Sequence, residues 1–270
     1  GQTGIDPMEI DAILCFGEEW KEYPLTTSAC YIQDRIGARR AWGIDVQNRC
    51  CTTVSAMKLA KDILLADDEC NTILVAGGYR NCDFIDFTDS GVSFMFNLGA
   101  GGGALILKKG YEKNQLLGTH IMSDGSVVHT CGSKVGGIVE PVTAENVSEF
   151  GMLRLMDSPK MKGMLNSTSM PNWYHCIDEA LRKSGMTRKD IGYLDILHIK
   201  RSGHKAMLAD LGLTEDQTIY LEDYGHIGQV DQILSLKLAL EQGKVKDGTV
   251  ISMIAAGIGY TWAANVIKWG

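Results

Sequence analysis

Two adjacent thiols, Cys50 and Cys51, end the polar run DVQNRCC and stand just ahead of the apolar pattern TTVSAMKLAKDILLA. An imidazole, His226 in YGHIGQ, stands ahead of a second such pattern, VDQILSLKLALE. A thiol becomes a strong nucleophile when it loses its proton, and a helix N-terminus, with unpaired N–H groups and the positive dipole end, favours the thiolate. An imidazole beside it can take the proton, and the two together suit covalent catalysis. Each residue also has a structural explanation: free cysteine is commonly buried, and a histidine in a turn often only caps a helix. The elements that carry the two residues decide between these readings.

Those elements come in two similar sets. EIDAILCFG, later followed by CCTTVSAMKLAKDILLADDECNTILVAGG, resembles YLDILHIKR, later followed by HIGQVDQILSLKLALEQGKVKDGTVISMIAAG. In each, an acid (Asp11, Asp195) opens an apolar strand, and a long helix then leads through a polar turn to a second apolar strand. The first helix places Ala56, Leu59, Ala60, Ile63 and Leu64 at i, i+3, i+4, i+7 and i+8. The second places Val230, Ile233, Leu234 and Leu238 similarly, with Leu236 and Leu240 on another side, as expected of helices buried between layers. Cys50 precedes Thr72 by 22 residues and His226 precedes Thr249 by 23. The two residues therefore read as equivalent positions, each at the start of a central helix, and halves packed about a pseudo-twofold axis would bring them together.

Composition removes several alternatives. At 270 residues, 45% hydrophobic and 22% charged, the chain can build a substantial core. A net charge of −7 without a long basic run argues against nucleic-acid binding. The opening GQTGIDPMEIDAIL does not read as a signal peptide. Eight cysteines, several in apolar patterns (Cys15, Cys70, Cys176), fit a reduced cytoplasmic protein better than a disulfide framework. No CxxC occurs and the cysteines and histidines do not cluster at zinc spacing, so no metal is expected. The apolar stretch from Thr249 to Ile267 reads as two buried strands joined by a glycine turn, rather than a membrane span.

Three motifs in order resemble the thiolase superfamily, most closely its ketoacyl-ACP synthase III branch: DVQNRCCTT, FNLGAGGGALIL (Phe96 to Leu107) and GIGYTW (Gly257 to Trp262). The resemblance covers essentially the whole chain. It implies an α/β fold of the thiolase type, a duplicated five-layer α-β-α-β-α sandwich, with a first half at 1–115, a connecting segment with a helix at 116–180 and a second half at 181–270. The family's usual N-terminal strand and helix, which help bind coenzyme A, have no counterpart, so the first half lacks the family's first elements; this reads either as a fragment or as a chain whose missing elements a second chain supplies. The spacing from Asp45 selects Cys50 as nucleophile and leaves Cys51 to packing. The backbone N–H groups of Cys50 and Ile258 are implied as the oxyanion donors.

Two family positions are altered. The catalytic histidine that follows the LDIL strand falls on Lys200, with His198 two residues earlier on the same strand face. The catalytic asparagine falls on His226, in a segment more like the GHxxGA of chain-elongating ketosynthases. Lys200, Arg201 and Lys205 form a basic cluster that would suit the coenzyme A diphosphate or acidic acyl carrier protein; Lys200 reads equally as a solvated cation, and His198 equally as a hydrogen-bonded core residue. The resemblance implies an acyltransferase that loads Cys50 from acyl-CoA or acyl-ACP and passes the acyl group to a carbon or other nucleophile, in fatty acid or polyketide metabolism. No permanently bound cofactor is expected; a coenzyme A or phosphopantetheine thioester is the substrate. A lysine at the histidine position would hold a malonyl carboxylate, so slow or absent decarboxylation is expected. A homodimer is expected too, paired along Asn71 to Tyr79, with Tyr23 and Pro24 reaching the partner's acyl pocket. The alternative is a non-catalytic or non-decarboxylating subunit acting as a scaffold.

Overall fold

The computed structural model describes residues 3–17 and 21–270. Among these the order is β1 (Ala12–Phe16), α1 (Ser28–Ile36), β2 (Trp42–Val46), α2 (Thr52–Ala66), β3 (Thr72–Tyr79), β4 (Gly101–Lys108), β5 (Gln115–Ser123), β6 (Cys131–Ser133), β7 (Leu153–Leu155), α3 (Ser158–Met164), α4 (Met170–Lys183), β8 (Tyr193–Ile196), α5 (Arg201–Leu211), α6 (Asp231–Glu241), β9 (Val250–Gly257) and β10 (Thr261–Lys268). One sheet runs β2-β1-β3-β4, a second β5-β10-β9-β8, and β6 with β7 forms a small third.

The unbroken apolar runs of β1 and β3 follow from burial on both faces, which parallel strands under helices require. Leu14, Phe16 and Val75 face inward with Ala56 and Ala60 of α2. Ile13, Cys15, Leu74 and Ala76 face outward with Ala29 of α1. Helix α2 touches strands of both sheets, as does α6, so these two form the central layer. Helix α4 covers β5 and β10 from outside, and Met207, Leu208 and Leu211 of α5 join the core of the second sheet. The result is five layers, α-β-α-β-α. Withdrawing a residue such as Phe16 from water contributes about 1.5–3 kcal/mol, and truncating it to alanine would cost about 3–5 kcal/mol.

The two halves correspond strand by strand. β1 runs parallel to β3, and β3 antiparallel to β4; likewise β8 runs parallel to β9, and β9 antiparallel to β10. Beside β1 lies β2, and beside β8 a single parallel bridge joins Leu194 to Thr218. The stretch expected as two strands with a turn is β9 and β10. Residues 116–180, expected to connect the halves, contribute most of β5 and most of α4 to the second half.

Several expectations need correction. β3 is not an edge: β4 pairs with it along its length and β1 from Ile73 to Ala76, and the ends of the first sheet are β2 and β4. β8 stops at Ile196, so His198 and Lys200 do not share a strand face. The chain leaves the sheet there because the His198 N–H turns to the Asp231 carboxylate, 2.7 Å away. Asp11 does precede its strand, accepting from the N–H groups of Asn71 and Thr72. Asp195 instead lies inside β8, wholly buried, and burial holds its carboxyl well above the usual carboxylate range. Cys70 belongs to the turn before β3, not to a strand or helix.

Candidate active site

Cys50 sits in one 3-10 turn, Arg49–Cys51, that runs directly into α2. Asn48 braces the turn: its N–H donates to Thr52 Oγ1 at 2.8 Å and its side-chain amide to Ser55 Oγ at 2.8 Å. The thiol is 9% exposed, and its Sγ lies 3.2 Å from Nε2 of His226. The end of β9 abuts this turn so closely that a Cβ on Gly257 would lie 3.1 Å from the Asn48 oxygen and 3.2 Å from the Cys50 nitrogen. Only glycine fits there without displacing the nucleophile. Cys51 points the other way, donates to the Thr261 carbonyl at 3.3 Å, and burial pushes its thiol well above the ordinary range.

His226 is held by the other half of the molecule. Its N–H donates to the Asn97 carbonyl and its own carbonyl accepts from Gly99 N–H, each at 2.8 Å. On the far side of the ring, Nδ1 lies 2.6 Å from Asp231 Oδ2. Asp231 is the first residue of α6 and has no exposure. Its Oδ1 accepts from Ile227 N–H and its Oδ2 also accepts from His198 N–H, both at 2.7 Å. A carboxylate only accepts, so it fixes a proton on Nδ1 and leaves Nε2 to exchange a proton with Cys50. Burial opposes a charged imidazole, but the Asp231 carboxylate and the Cys50 sulfur outweigh it and push His226 well above its ordinary range. Cys50, His226 and Asp231 thus form a buried relay. Gly228, at φ +56°, lets the chain pass between His226 and α6, where a Cβ would strike the Tyr79 ring at 2.3 Å.

Asp231 is the residue that sequence reasoning missed. Its signal was an acid at the first position of an apolar helix, five residues after the histidine, and that signal does not differ from an ordinary helix-start acid. The structure also corrects the equivalence of Cys50 and His226. The turn Gly228–Val230 precedes α6 as Arg49–Cys51 precedes α2, so Gln229 is the local counterpart of Cys50. The similar spacings to the next strand arose from unequal helix and turn lengths. The two helix starts do converge: Thr53 Oγ1 donates to the Gln229 carbonyl at 2.6 Å.

The remaining candidates are placed differently. Ile258 follows Gly257 on the turn between β9 and β10 and is half-buried. His198 offers its backbone N–H to Asp231, while its ring lies against Tyr220 at 4.8 Å and its Nδ1 is buried without a partner. Burial pushes that imidazole down, aided by the charges of His226 and Arg201 and opposed by Asp231. Lys200 is exposed. Arg201 stacks on Tyr220 at 4.1 Å and pairs with Glu222, and Lys205 pairs with Glu215 at 3.0 Å. Arg201 and Lys205 line a cavity of about 240 Å³ with His204 and Lys244, and neither Lys200 nor Cys50 borders it. A larger cavity, about 620 Å³, opens at the ends of β1, β3 and β4 and includes Tyr79, whose ring centre is 6.2 Å from that of His226. Among the described residues, no group of three or more His, Cys, Asp or Glu side chains could hold a metal ion, and no helix is long and apolar enough to cross a membrane.

Comparison with known proteins adds to this geometry. The family model described as 3-oxoacyl-[acyl-carrier-protein (ACP)] synthase III matches residues 44–125, and the model of its C-terminal region matches residues 181–269. The beta-ketoacyl-[acyl-carrier-protein] synthase III of Natranaerobius thermophilus is 24% identical over 278 residues, covering 99% of this chain and 80% of that protein. Its namesake in Rhodospirillum centenum is 28% identical over 273 residues, covering 99% and 79%. The crystal structure of 3-oxoacyl-[acyl-carrier-protein] synthase III from Aquifex aeolicus has the same fold, with a TM-score of 0.82 at 20% identity, covering 99% of this chain and 80% of that one.

Proposed function

The chain belongs to the 3-oxoacyl-[acyl-carrier-protein] synthase III family of the thiolase superfamily, and from that premise we propose that it forms an acyl thioester on Cys50 and hands the acyl group to a second nucleophile. The observation that carries this reading is the buried relay of Cys50, His226 and Asp231. The Cys50 sulfur attacks the carbonyl of an incoming thioester. The tetrahedral oxyanion is held by the backbone N–H groups of Cys50 and Ile258, one of which is typically worth about 3 kcal/mol. As the carbonyl re-forms, the C–S bond of the donor breaks and the proton on His226 Nε2 leaves with the departing thiol. Asp231 holds the imidazole in register and stabilises its charge before that transfer.

A coenzyme A or phosphopantetheine thioester is the donor under this reading, with no resident cofactor. Arg201, Lys205 and Lys200 lie toward one flank, where they would meet an acidic carrier rather than the reacting carbonyl. The homodimer moves from β3 to the open edge β2, where Trp42 and Ile44 are each 47% exposed. An apolar edge of that kind invites pairing. The opposite edge, β4, is where a second chain would add the strand that β5 adds to β10. Eight free cysteines accord with a cytoplasmic location. The scaffold reading has no need of a buried, oriented Cys–His–Asp set.

Intact-protein mass after incubation with acetyl-, butyryl- and octanoyl-CoA tests the proposal. One acyl adduct that maps to Cys50, absent from Cys50→Ser under thioester-stable conditions, is expected. A protein that takes no adduct from any donor would overturn it.

A further inference from the structure

The acyl-enzyme leaves open what accepts the acyl group, and the geometry around His226 narrows the choice. Asp231 Oδ2 accepts from the Nδ1–H group at 2.6 Å and the carboxylate is itself fixed by two backbone N–H groups, so the ring cannot exchange tautomers without breaking that set. Once the donor thiol has left with the Nε2 proton, Nε2 is the ring nitrogen left to take a proton from an acceptor, and it alone of the two could serve the enolate oxygen of a decarboxylating condensation. The buried carboxylate of Asp231 opposes a second anion brought beside it, whether a malonyl carboxylate or an enolate. The other candidate donors are turned elsewhere: His198 gives only its backbone N–H to this cluster, with its ring against Tyr220, and Lys200 is exposed.

Resting on the acyl-enzyme reading above, we propose that the second substrate is a heteroatom nucleophile, a neutral hydroxyl or amine, for which His226 acts as general base. The acceptor's X–H proton passes to His226 Nε2 as X bonds to the thioester carbon. The tetrahedral species collapses with loss of the Cys50 sulfur, which leaves one proton to be shared between that sulfur and His226 Nε2, as before loading, and releases an ester or amide. No carbon dioxide is formed and no further reactant is needed.

The test uses the unmodified protein loaded from whichever acyl-CoA labels it. Loss of the adduct is followed by mass in buffer alone, with water as the smallest hydroxyl acceptor, then with ethanolamine, then with malonyl-CoA. Ethanolamine should accelerate deacylation at least tenfold over buffer alone and give an acylated ethanolamine. The rate in water or ethanolamine should rise with pH through a single ionisation and level off. Malonyl-CoA should yield neither carbon dioxide nor a carbon–carbon product. Release of carbon dioxide with an extended thioester would overturn this proposal alone, leaving the acyl-enzyme intact. So would deacylation that ignores ethanolamine and shows no ionisation. Failure to label Cys50 at all would instead remove the acyl-enzyme reading on which the proposal rests.

Discussion

Replacing Asp231 with asparagine isolates the contribution of the buried carboxylate. Asp231 accepts three hydrogen bonds, from His226 Nδ1, Ile227 N–H and His198 N–H. Asparagine has one accepting oxygen and one amino group, so it cannot satisfy all three. With its oxygen at the Oδ2 place, the amino group faces the Ile227 N–H and leaves a buried donor unpaired, at a cost of about 1–3 kcal/mol. Flipped, the amino group faces His226 Nδ1 and forces the proton onto Nε2, so the ring no longer accepts the Cys50 proton. Either arrangement removes the anion that raises His226. Loss of a positioned base typically costs about 10²–10⁴-fold in rate. Cys50 acylation in Asp231→Asn should therefore slow by at least about 100-fold, measured by stopped mass labelling, with far-ultraviolet dichroism unchanged. The pH dependence of stability carries a second signature. His226 is raised in the folded state above its unfolded value of about 6.5. Its contribution is thus fully present below pH 6.5 and is lost as pH rises through the raised folded value. Denaturant midpoints of the two proteins should converge as pH rises through that value. Acylation of the folded variant within threefold of the unmodified rate would refute the relay.

Other consequences can be checked separately. Gly257→Ala should slow acylation about tenfold or more and cost about 1–3 kcal/mol of stability, because its Cβ must push the Cys50 turn by a few tenths of an ångström; unchanged kinetics would mean that β9 does not set the nucleophile. Iodoacetamide mapping should find Cys50 modified before Cys51, Cys131 or Cys176, all buried and pushed up by burial; early loss of Cys51 would contradict the assignment. Lys200→His should leave decarboxylation unchanged within twofold, since the residue is exposed. Sedimentation at micromolar concentration should show a dimer that Ile44→Lys weakens and an exposed substitution such as Leu65→Lys does not.

The sequence carried the architecture well, because the duplication imposed the same strand–helix–strand order twice and the pattern of buried positions follows from it. It also placed Cys50 and His226 together, although by an equivalence that the structure assigns to Cys50 and Gln229. What it did not carry is non-local. Whether β3 was an edge depended on where β4, which begins 22 residues after the end of β3, would return. Whether β8 reached His198 depended on an acid 33 residues away drawing off a backbone N–H. Asp231 looked like any first-turn acid until the imidazole was seen against it. For Lys200 the motif register ran on past Ile196, where β8 ends, so the strand pattern could not say which of its two readings held.

His226 belongs to the second half of the chain, yet its backbone is hydrogen-bonded to Asn97 and Gly99 of the first, and its partner Cys50 lies 176 residues away. Closing a loop of that length carries an entropic penalty that only long-range packing offsets. The chemistry therefore reports on the last stage of folding. During refolding, helical and strand signals should return before Cys50 becomes acylable, and the delay should match docking of one half on the other. On gentle denaturation the order should reverse, with acylation lost while most secondary structure persists. Neither half, expressed alone, would possess a fraction of the activity; the reactive pair comes into being only at the seam.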